Sequence, residues 1–307
     1  MKNFGIVFTL IVACFLVISM TTEASFMVEH SLGTVNITET PQTIVVFDYG
    51  VLDALDVLEV TIAGLPASNL PAFLSKFNSA EYVNVGTLFE PDFEKIYALK
   101  PDLIIISSRQ AEQYDELSRI APTLYMEIDN GNWWGSVQSN LRLLGQIFGK
   151  EAEVEDVLGR FQQRIDGIRE RAEASGTKAL ILMANDGALS VYGAESRFGI
   201  IHQDLGFAPA DQAIDDATHG QNVSFEYLVR INPEAIFVID RAAVAGGSIG
   251  AQQVMSNPIV QMTKASQGGK IIYLHPHAWY VVSGGIRSTE IMLDDIDTFF
   301  QESRDTK

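Results

Sequence analysis

The chain has 307 residues, with 39 acidic side chains against 21 basic ones and a formal charge of −18. A surface that negative argues against nucleic acid or an anionic membrane surface as partner, since phosphate contacts need clustered lysine and arginine. About 280 residues past an amino-terminal leader are too many for one typical core, and they point to two lobes.

Lys2 gives a short positive start, Phe4 to Met20 is an almost uninterrupted apolar run, and Thr22-Glu23-Ala24 ends in a small residue. This is the pattern of a signal peptide, residues 1–24, with cleavage after Ala24 and export to the periplasm. Ile11-Val12-Ala13-Cys14 resembles a lipoprotein box, but the apolar run continues through Phe15-Leu16-Val17-Ile18 where a lipidated terminus would turn polar. Cleavage after Ala24 leaves no cysteine, so disulfide and thiol chemistry drop out.

Past the leader, short β-rich runs (Thr43–Phe47, Leu103–Ser107, Lys178–Met183, Ala235–Ile239 and Lys270–Leu274) alternate with helical patterns. The helical segments are Tyr49–Leu58, Phe93–Leu99, Ala111–Ile120, Phe225–Ile231 and Ser288–Phe300. This alternation predicts α/β structure with largely parallel sheets. One segment breaks the rhythm: Glu151 to Ser175 reads as a single charged helix about 37 Å long. Its apolar residues Val154, Val157, Leu158, Phe161, Ile165 and Ile168 follow helical spacing, and Gly176 stops it. A long helix between two α/β halves is a rigid spacer. The expected division is therefore a lobe over residues 25–150, a connecting helix over 151–175 and a second lobe over 176–307.

The halves repeat. Phe93 through Asp102 and the strand Leu103–Ile106 lead to Ser107-Ser108-Arg109, and 132 positions later Phe225 through Glu234 and the next strand lead to Ile239-Asp240-Arg241. A generic helix-turn-strand unit met twice would explain part of the pattern, but not the matched arginines. Ligands in open α/β sheets bind beyond the carboxyl ends of strands. Arg109 and Arg241 follow such ends, and Arg197 follows the strand-like Leu189–Tyr192 and begins a helix expected over Phe198–Leu205. A single arginine there is most often an ion-pair former. Three placed alike in so acidic a protein point to an anionic, oxygen-rich ligand, which suits the guanidinium fork.

Two residues of metal-ligand type complete the candidates. Thr218-His219-Gly220 matches Gly86-Thr87-Leu88 under the same offset, and Trp279-Tyr280 follows the last strand and a turn through Pro276. His219 equally fits a helix cap or an exposed loop, and Tyr280 a packed aromatic. Imidazole plus phenolate could complete the shell of a hard ferric ion, whose other ligands must arrive with it. His275 and His277 lack a third ligand at metal-site spacing and read as loop residues.

Ser196-Arg197-Phe198-Gly199-Ile200-Ile201-His202, Thr218-His219-Gly220, Asn232-Pro233 through Asp240-Arg241, and Trp279-Tyr280 with Ser283-Gly284 resemble the periplasmic catecholate-siderophore (ferric enterobactin-type) binding proteins of ABC importers. That resemblance implies the class III fold, two Rossmann-like lobes joined by one long backbone helix, with little movement on binding. It implies no enzyme activity, no intrinsic cofactor, a monomer, and an Fe(III)-siderophore as the ligand. It also implies an arginine triad for the catecholates (Arg109, Arg197, Arg241) and a His219/Tyr280 pair that ligates iron when the siderophore is tetradentate. A bis-catecholate leaves two positions of octahedral iron open, whereas a tris-catecholate fills all six and leaves the pair idle. Glu94 and Glu226, equivalent under the offset, would dock on an inner-membrane ABC permease dimer. The alternatives are the same fold holding haem, cobalamin or a bare ion, and an exported metallohydrolase using His202, His219, His275 and His277.

Overall fold

A computed structural model describes residues 26–214 and 220–302. The leader, Cys14, Ala24 and His219 lie outside the described residues. The chain opens with an antiparallel hairpin, β1 (Phe26–His30) and β2 (Gly33–Ile37). There follow β3 (Ile44–Val46), α1 (Tyr49–Val57), β4 (Gly64–Leu65), β5 (Val83–Asn84), α2 (Phe93–Leu99), β6 (Leu103–Ile106), α3 (Tyr114–Ser118) and β7 (Thr123–Tyr125). Strands β3 to β7 form a sheet in the order β5-β4-β3-β6-β7, parallel throughout. Such all-parallel strands are covered on both faces, and β6 is fully buried from Leu103 to Ile106.

Helix α4 (Trp133–Phe148) and the 25-residue α5 (Glu151–Ser175) come next. Beyond them lie β8 (Lys178–Asn185), β9 (Ala188–Tyr192), α6 (Ile200–Gln203), β10 (Ala208–Pro209), β11 (Gln221–Val223), α7 (Phe225–Ile231) and β12 (Ala235–Asp240). Helices α8 to α10 (Ala242–Ala245, Ala251–Met255, Lys264–Gln267), β13 (Ile271–Leu274), α11 (Pro276–Tyr280) and α12 (Ile286–Glu302) complete the chain. The second sheet runs β11-β9-β8-β12-β13, with β10 beside β8. Its β8, β12, β13 and β10 are parallel, while β9 runs antiparallel to both its neighbours β8 and β11, so this half is mixed.

The bounds of α5 match the sequence expectation. Its six predicted apolar residues are all buried, and Gly176 closes it in the left-handed conformation that glycine adopts without strain. The internal repeat is equally literal. Both α2 and α7 span seven residues, and both end on a left-handed cap, Lys100 (φ 49°) and Asn232 (φ 51°), before the proline turn. Two expectations change. The helix read over Ala111–Ile120 is a 3-10 turn at Ser108–Gln113 followed by the short α3, because a Ser107/Gln110 capping box starts the turn earlier. The helix expected over Phe198–Leu205 shrinks to α6, one turn closed by Asp204 and Leu205 bonding back to Ile200.

One hydrophobic core runs through both halves. It joins Leu52 and Leu55 of α1, Val137 and Leu141 of α4, Phe161 and Ile165 of α5, Phe237 of β12, and Leu293 and Ile296 of α12. Separate clusters back the outer faces of the two sheets. Polar contacts tie α12 to α1. Asp53, fully buried, accepts from the Ser288 amide at 2.8 Å, and Arg287 reaches Asp56 at 2.5 Å and Asp53 at 3.5 Å. Lys76 also pairs with Asp56. A side chain on Gly285 would collide with the Asp53 carboxylate and the Gly50 carbonyl, so glycine permits this close approach.

Candidate functional site

Three parallel strands of the first sheet deliver their carboxyl ends to one cleft of about 530 Å³. β3 leads to Asp48, β6 to Ser107, Ser108 and Arg109, and β7 to Met126, Glu127 and Ile128, with Phe89, Asn130 and Trp133 beside them. The second half contributes Arg197, Tyr280, Val281 and Ser283. Trp133 donates its indole N–H to Ser283 Oγ at 2.8 Å, a bond between the halves at the cleft wall.

Tyr280 is the centre of the second-half wall. It is the last residue of α11, which Pro276 starts and His275 caps by accepting the Ala278 amide. Its neighbour Trp279 is buried and donates to Asp295 at 2.9 Å, and the same carboxylate accepts the His275 amide at 2.6 Å. Trp279 therefore packs into the body and fixes α11, leaving Tyr280 half-exposed in the cleft. Arg241, just past β12, donates from Nε to the Tyr280 phenol oxygen at 2.9 Å and from Nη1 to Asn185 at 3.1 Å. Arg197 donates to the Tyr280 carbonyl at 2.8 Å, and its guanidinium lies 4.5 Å from the ring centroid. Two cations thus hold one phenol.

Arg197 comes to this place by a different route from the one its sequence position suggested. β9 is antiparallel to β8, so its end does not lie at the carboxyl edge shared by the parallel strands. The turn Gly193–Gly199, closed by Ser196 N–H and Oγ bonds to the Gly193 carbonyl, carries Arg197 back to Tyr280. Burial and the nearby Arg109 guanidinium depress the Arg197 pKa, while the Tyr280 and Tyr192 phenols and a hydrogen bond to Tyr280 oppose this. Tyr192 is fully buried beside them, and burial pushes its phenol up to about 12 against the pull of Arg197 and Arg241.

Arg142, Arg160, Arg164, Arg169, Arg171 and Arg287 each pair with a carboxylate. Among the described residues Arg109, Arg119, Arg197, Arg230 and Arg241 have no such pair, and of these Arg109 and Arg197 line the cleft while Arg241 bonds Tyr280 at its wall. In a chain of charge −18, cations left without carboxylates at one cleft mark a place for a negative ligand.

His219 lies outside the described residues. Gly220, next to it, has φ +72°, and a side chain there would fall 2.8 Å from the Tyr192 ring. His202 is half-buried with Nδ1 2.8 Å from the Phe207 carbonyl, and the rings of His275 and His277 lie 6.2 Å apart. Among the described residues no three His, Cys, Asp or Glu side chains could hold a metal ion. Glu94 and Glu226 are exposed in the first turns of α2 and α7.

Phe89, Trp133, Ser107, Ser108 and Asn130 line the cleft without having been singled out in the sequence. The offset that pairs Phe89's loop with the His219 loop was the available signal for Phe89. Of the nearby aromatics, Trp133 lines the cleft, whereas Tyr49 turns inward to the Pro66 and Ser68 carbonyls and Trp134 to Gln162.

A periplasmic binding protein profile matches residues 44–278. The chain belongs to the periplasmic binding protein family. It is 43% identical to the petrobactin-binding protein YclQ of Bacillus subtilis over 91% of this chain and 89% of that one. The crystal structure of YclQ superposes with a TM-score of 0.87, covering 91% of this chain and 99% of that one at 41% identity. Identity is 36% with the ferric-anguibactin-binding protein FatB of Vibrio anguillarum, over 91% and 88% of the two chains. The periplasmic catecholate-siderophore binding protein VctP of Vibrio cholerae superposes with a TM-score of 0.86 at 35% identity, over 90% and 100%. Members of this family bind and carry, so the metallohydrolase alternative falls. Among the described residues no helix is long and apolar enough to cross a membrane.

Proposed function

We propose that this periplasmic binding protein captures a ferric siderophore in the cleft between its halves and delivers it to an ABC importer for iron uptake. The observation that carries this reading is that the three arginines at the cleft, Arg109, Arg197 and Arg241, have no carboxylate partner, and two of them hold Tyr280. Siderophore binding by YclQ, FatB and VctP supports it. Their names range over petrobactin, ferric anguibactin and catecholate siderophores, so enterobactin itself is not singled out.

Within that reading, Arg109, Arg197 and Arg241 bind the ligand's anionic oxygens through charge-assisted hydrogen bonds. A catecholate is the favoured donor set, because its paired oxygens match the guanidinium fork. With a tetradentate ligand, Tyr280 and His219 fill the two vacant iron positions. The Arg241 N–H aimed at the Tyr280 oxygen favours negative charge there, the form in which a phenol binds iron. Gly220 against Tyr192 brings the chain next to His219 close to this wall, which supports the pairing. Haem or cobalamin would not need three arginines beside a His/Tyr iron site. The remaining elements are export with cleavage after Ala24, action as a monomer in the periplasm, lobes at 25–150 and 176–307, and docking of Glu94 and Glu226 on a permease dimer.

Titration of intrinsic fluorescence with ferric bis- and tris-catecholates tests the proposal, since Trp133 lines the cleft. Saturable quenching at micromolar concentration or below is expected. Arg197→Ala and Arg241→Ala should each weaken binding by about 10- to 100-fold, the loss for a charged hydrogen bond. No binding of any ferric catecholate by the native chain sinks the proposal.

A further inference from the structure

Phe89 is 66% exposed, yet nothing about its loop is loose. Residues Gly86 to Pro91 form a tight hairpin in which Thr87 N–H donates to the Glu90 carbonyl at 3.0 Å. The Thr87 hydroxyl oxygen accepts the Phe89 and Glu90 amides at 3.2 and 3.0 Å. Gly86 sits at φ +115°, where any side chain would collide with the Glu90 carbonyl. The next residue back from Phe89, Leu88, is buried in the core. Its carbonyl accepts from the amide of Gln110, a fully buried side chain one residue past Arg109. The hairpin is thus fastened to the same turn that presents Arg109.

Turn apices of this kind favour glycine, asparagine, aspartate and serine. A single exposed phenylalanine on a surface needs no explanation. A rigid turn that buries leucine and holds phenylalanine out at the mouth of a cationic cleft does. The repeat adds a second, independent argument. Under the 132-residue offset, Gly86-Thr87-Leu88 corresponds to Thr218-His219-Gly220, so the Phe89 hairpin is the sequence counterpart of the segment that carries the proposed histidine ligand.

We propose that Phe89 is a specificity-determining residue that packs its ring against an aryl face of the bound chelate. It thereby selects aromatic siderophores over carboxylate ones of the same charge. This rests on the siderophore reading above. The arginines recognise charge and cannot by themselves distinguish a catecholate from a citrate. An aromatic side chain adds that distinction, because ring pairs gain stability beyond the area they bury.

The test compares the native protein with Phe89→Ala, Phe89→Leu and Phe89→Tyr, using a ferric bis-catecholate and ferric citrate as probes. Phe89→Ala should weaken the bis-catecholate by about 5- to 30-fold, Phe89→Leu by less, and Phe89→Tyr by no more than about 2-fold. Any ferric citrate affinity should be the same in all four proteins. The side chain is exposed, so melting temperatures should agree, and circular dichroism checks this. Native-like catecholate binding by Phe89→Ala overturns the inference and leaves the siderophore reading standing. Equal losses for both probes overturn it as well, since they mark a general change in the cleft. A native protein that binds no ferric catecholate removes both.

Discussion

Tyr280 lies under one guanidinium and against another, with its carbonyl taken by Arg197 and its phenol by Arg241. Its backbone position comes from Trp279, buried and bonded to Asp295, so the side chain is aimed before any ligand arrives. Tyr280→Phe keeps the ring and its cation contacts while removing the oxygen. A ferric bis-catecholate should then bind about 10- to 100-fold more weakly and lose the visible charge-transfer shift seen with the native protein. A ferric tris-catecholate, with no iron position to offer, should bind within about 3-fold of native. Equal losses for both complexes, measured side by side in a spectrophotometric titration, would show that the phenol oxygen acts by holding Arg241 and not through iron. The arginines follow another logic. Burial of Arg197 makes its charge costly in the empty cleft, and a negative ligand relieves that cost, so truncation should weaken both complexes.

Between elements, the contact of α1 with α12 is the most heavily charged part of the interior. Burial raises the Asp53 carboxyl to about 6, against 3.8 for the free group, although the Ser288 amide and Arg287 pull it down. Between those values the folded protein holds a proton that the unfolded chain has released, so this group makes stability rise as pH falls from 7 toward 4. About two pH units correspond to on the order of 3 kcal/mol at most. Asp53→Asn should abolish that increment while keeping a carbonyl for the Ser288 amide. Urea unfolding of both proteins at pH 4.5, 5.5 and 7 measures it, and the difference between them cancels the opposite contribution of His202, whose pKa burial lowers. A difference that does not change across the window would refute it.

Elements of this kind were unevenly legible in the sequence. Helix α5 declared itself, because its long charged face leaves a clean apolar stripe and Gly176 marks its end. Helix α4 did not, since Gly135, Gly145 and the paired tryptophans blur the same periodicity. The β1–β2 hairpin escaped because it follows the leader directly and leaves Met27 68% exposed. At the site, Arg109 and Arg241 were readable from strand ends and the repeat. The convergence of Arg197 and Arg241 on Tyr280 was not, because it depends on a turn after an antiparallel strand, a tertiary fact. Tyr280 stood out by its phenol, but only the Asp295 bond to the indole N–H shows that its neighbour Trp279 packs inward.

Across the whole molecule, one shared core and the α1–α12 contact couple the two halves, and that coupling sets the separation of the proposed docking residues Glu94 and Glu226. A partner of twofold symmetry could read that separation directly. Replacing both glutamates by alanine should leave siderophore affinity unchanged. It should remove the stimulation of ATP hydrolysis by the reconstituted importer, while either single change leaves part of it. Undiminished stimulation with the double variant would rule out that docking pair.

A cationic floor set in an acidic body also has a kinetic consequence. An iron chelate of negative charge meets the repulsion of the −18 envelope well before it reaches the arginines. Dissolved ions screen the long-range part over about 10 Å at 0.1 M and leave the short-range attraction largely intact. Stopped-flow association rates should therefore climb as salt is raised from roughly 10 to 150 mM, the reverse of the slowing found for electrostatically steered pairs. A rate that falls would mean that the arginines, and not the envelope, dominate the field at a distance. With rates that climb, the supply of iron to the importer responds to the ionic strength around the cell, faster in brine than in fresh water.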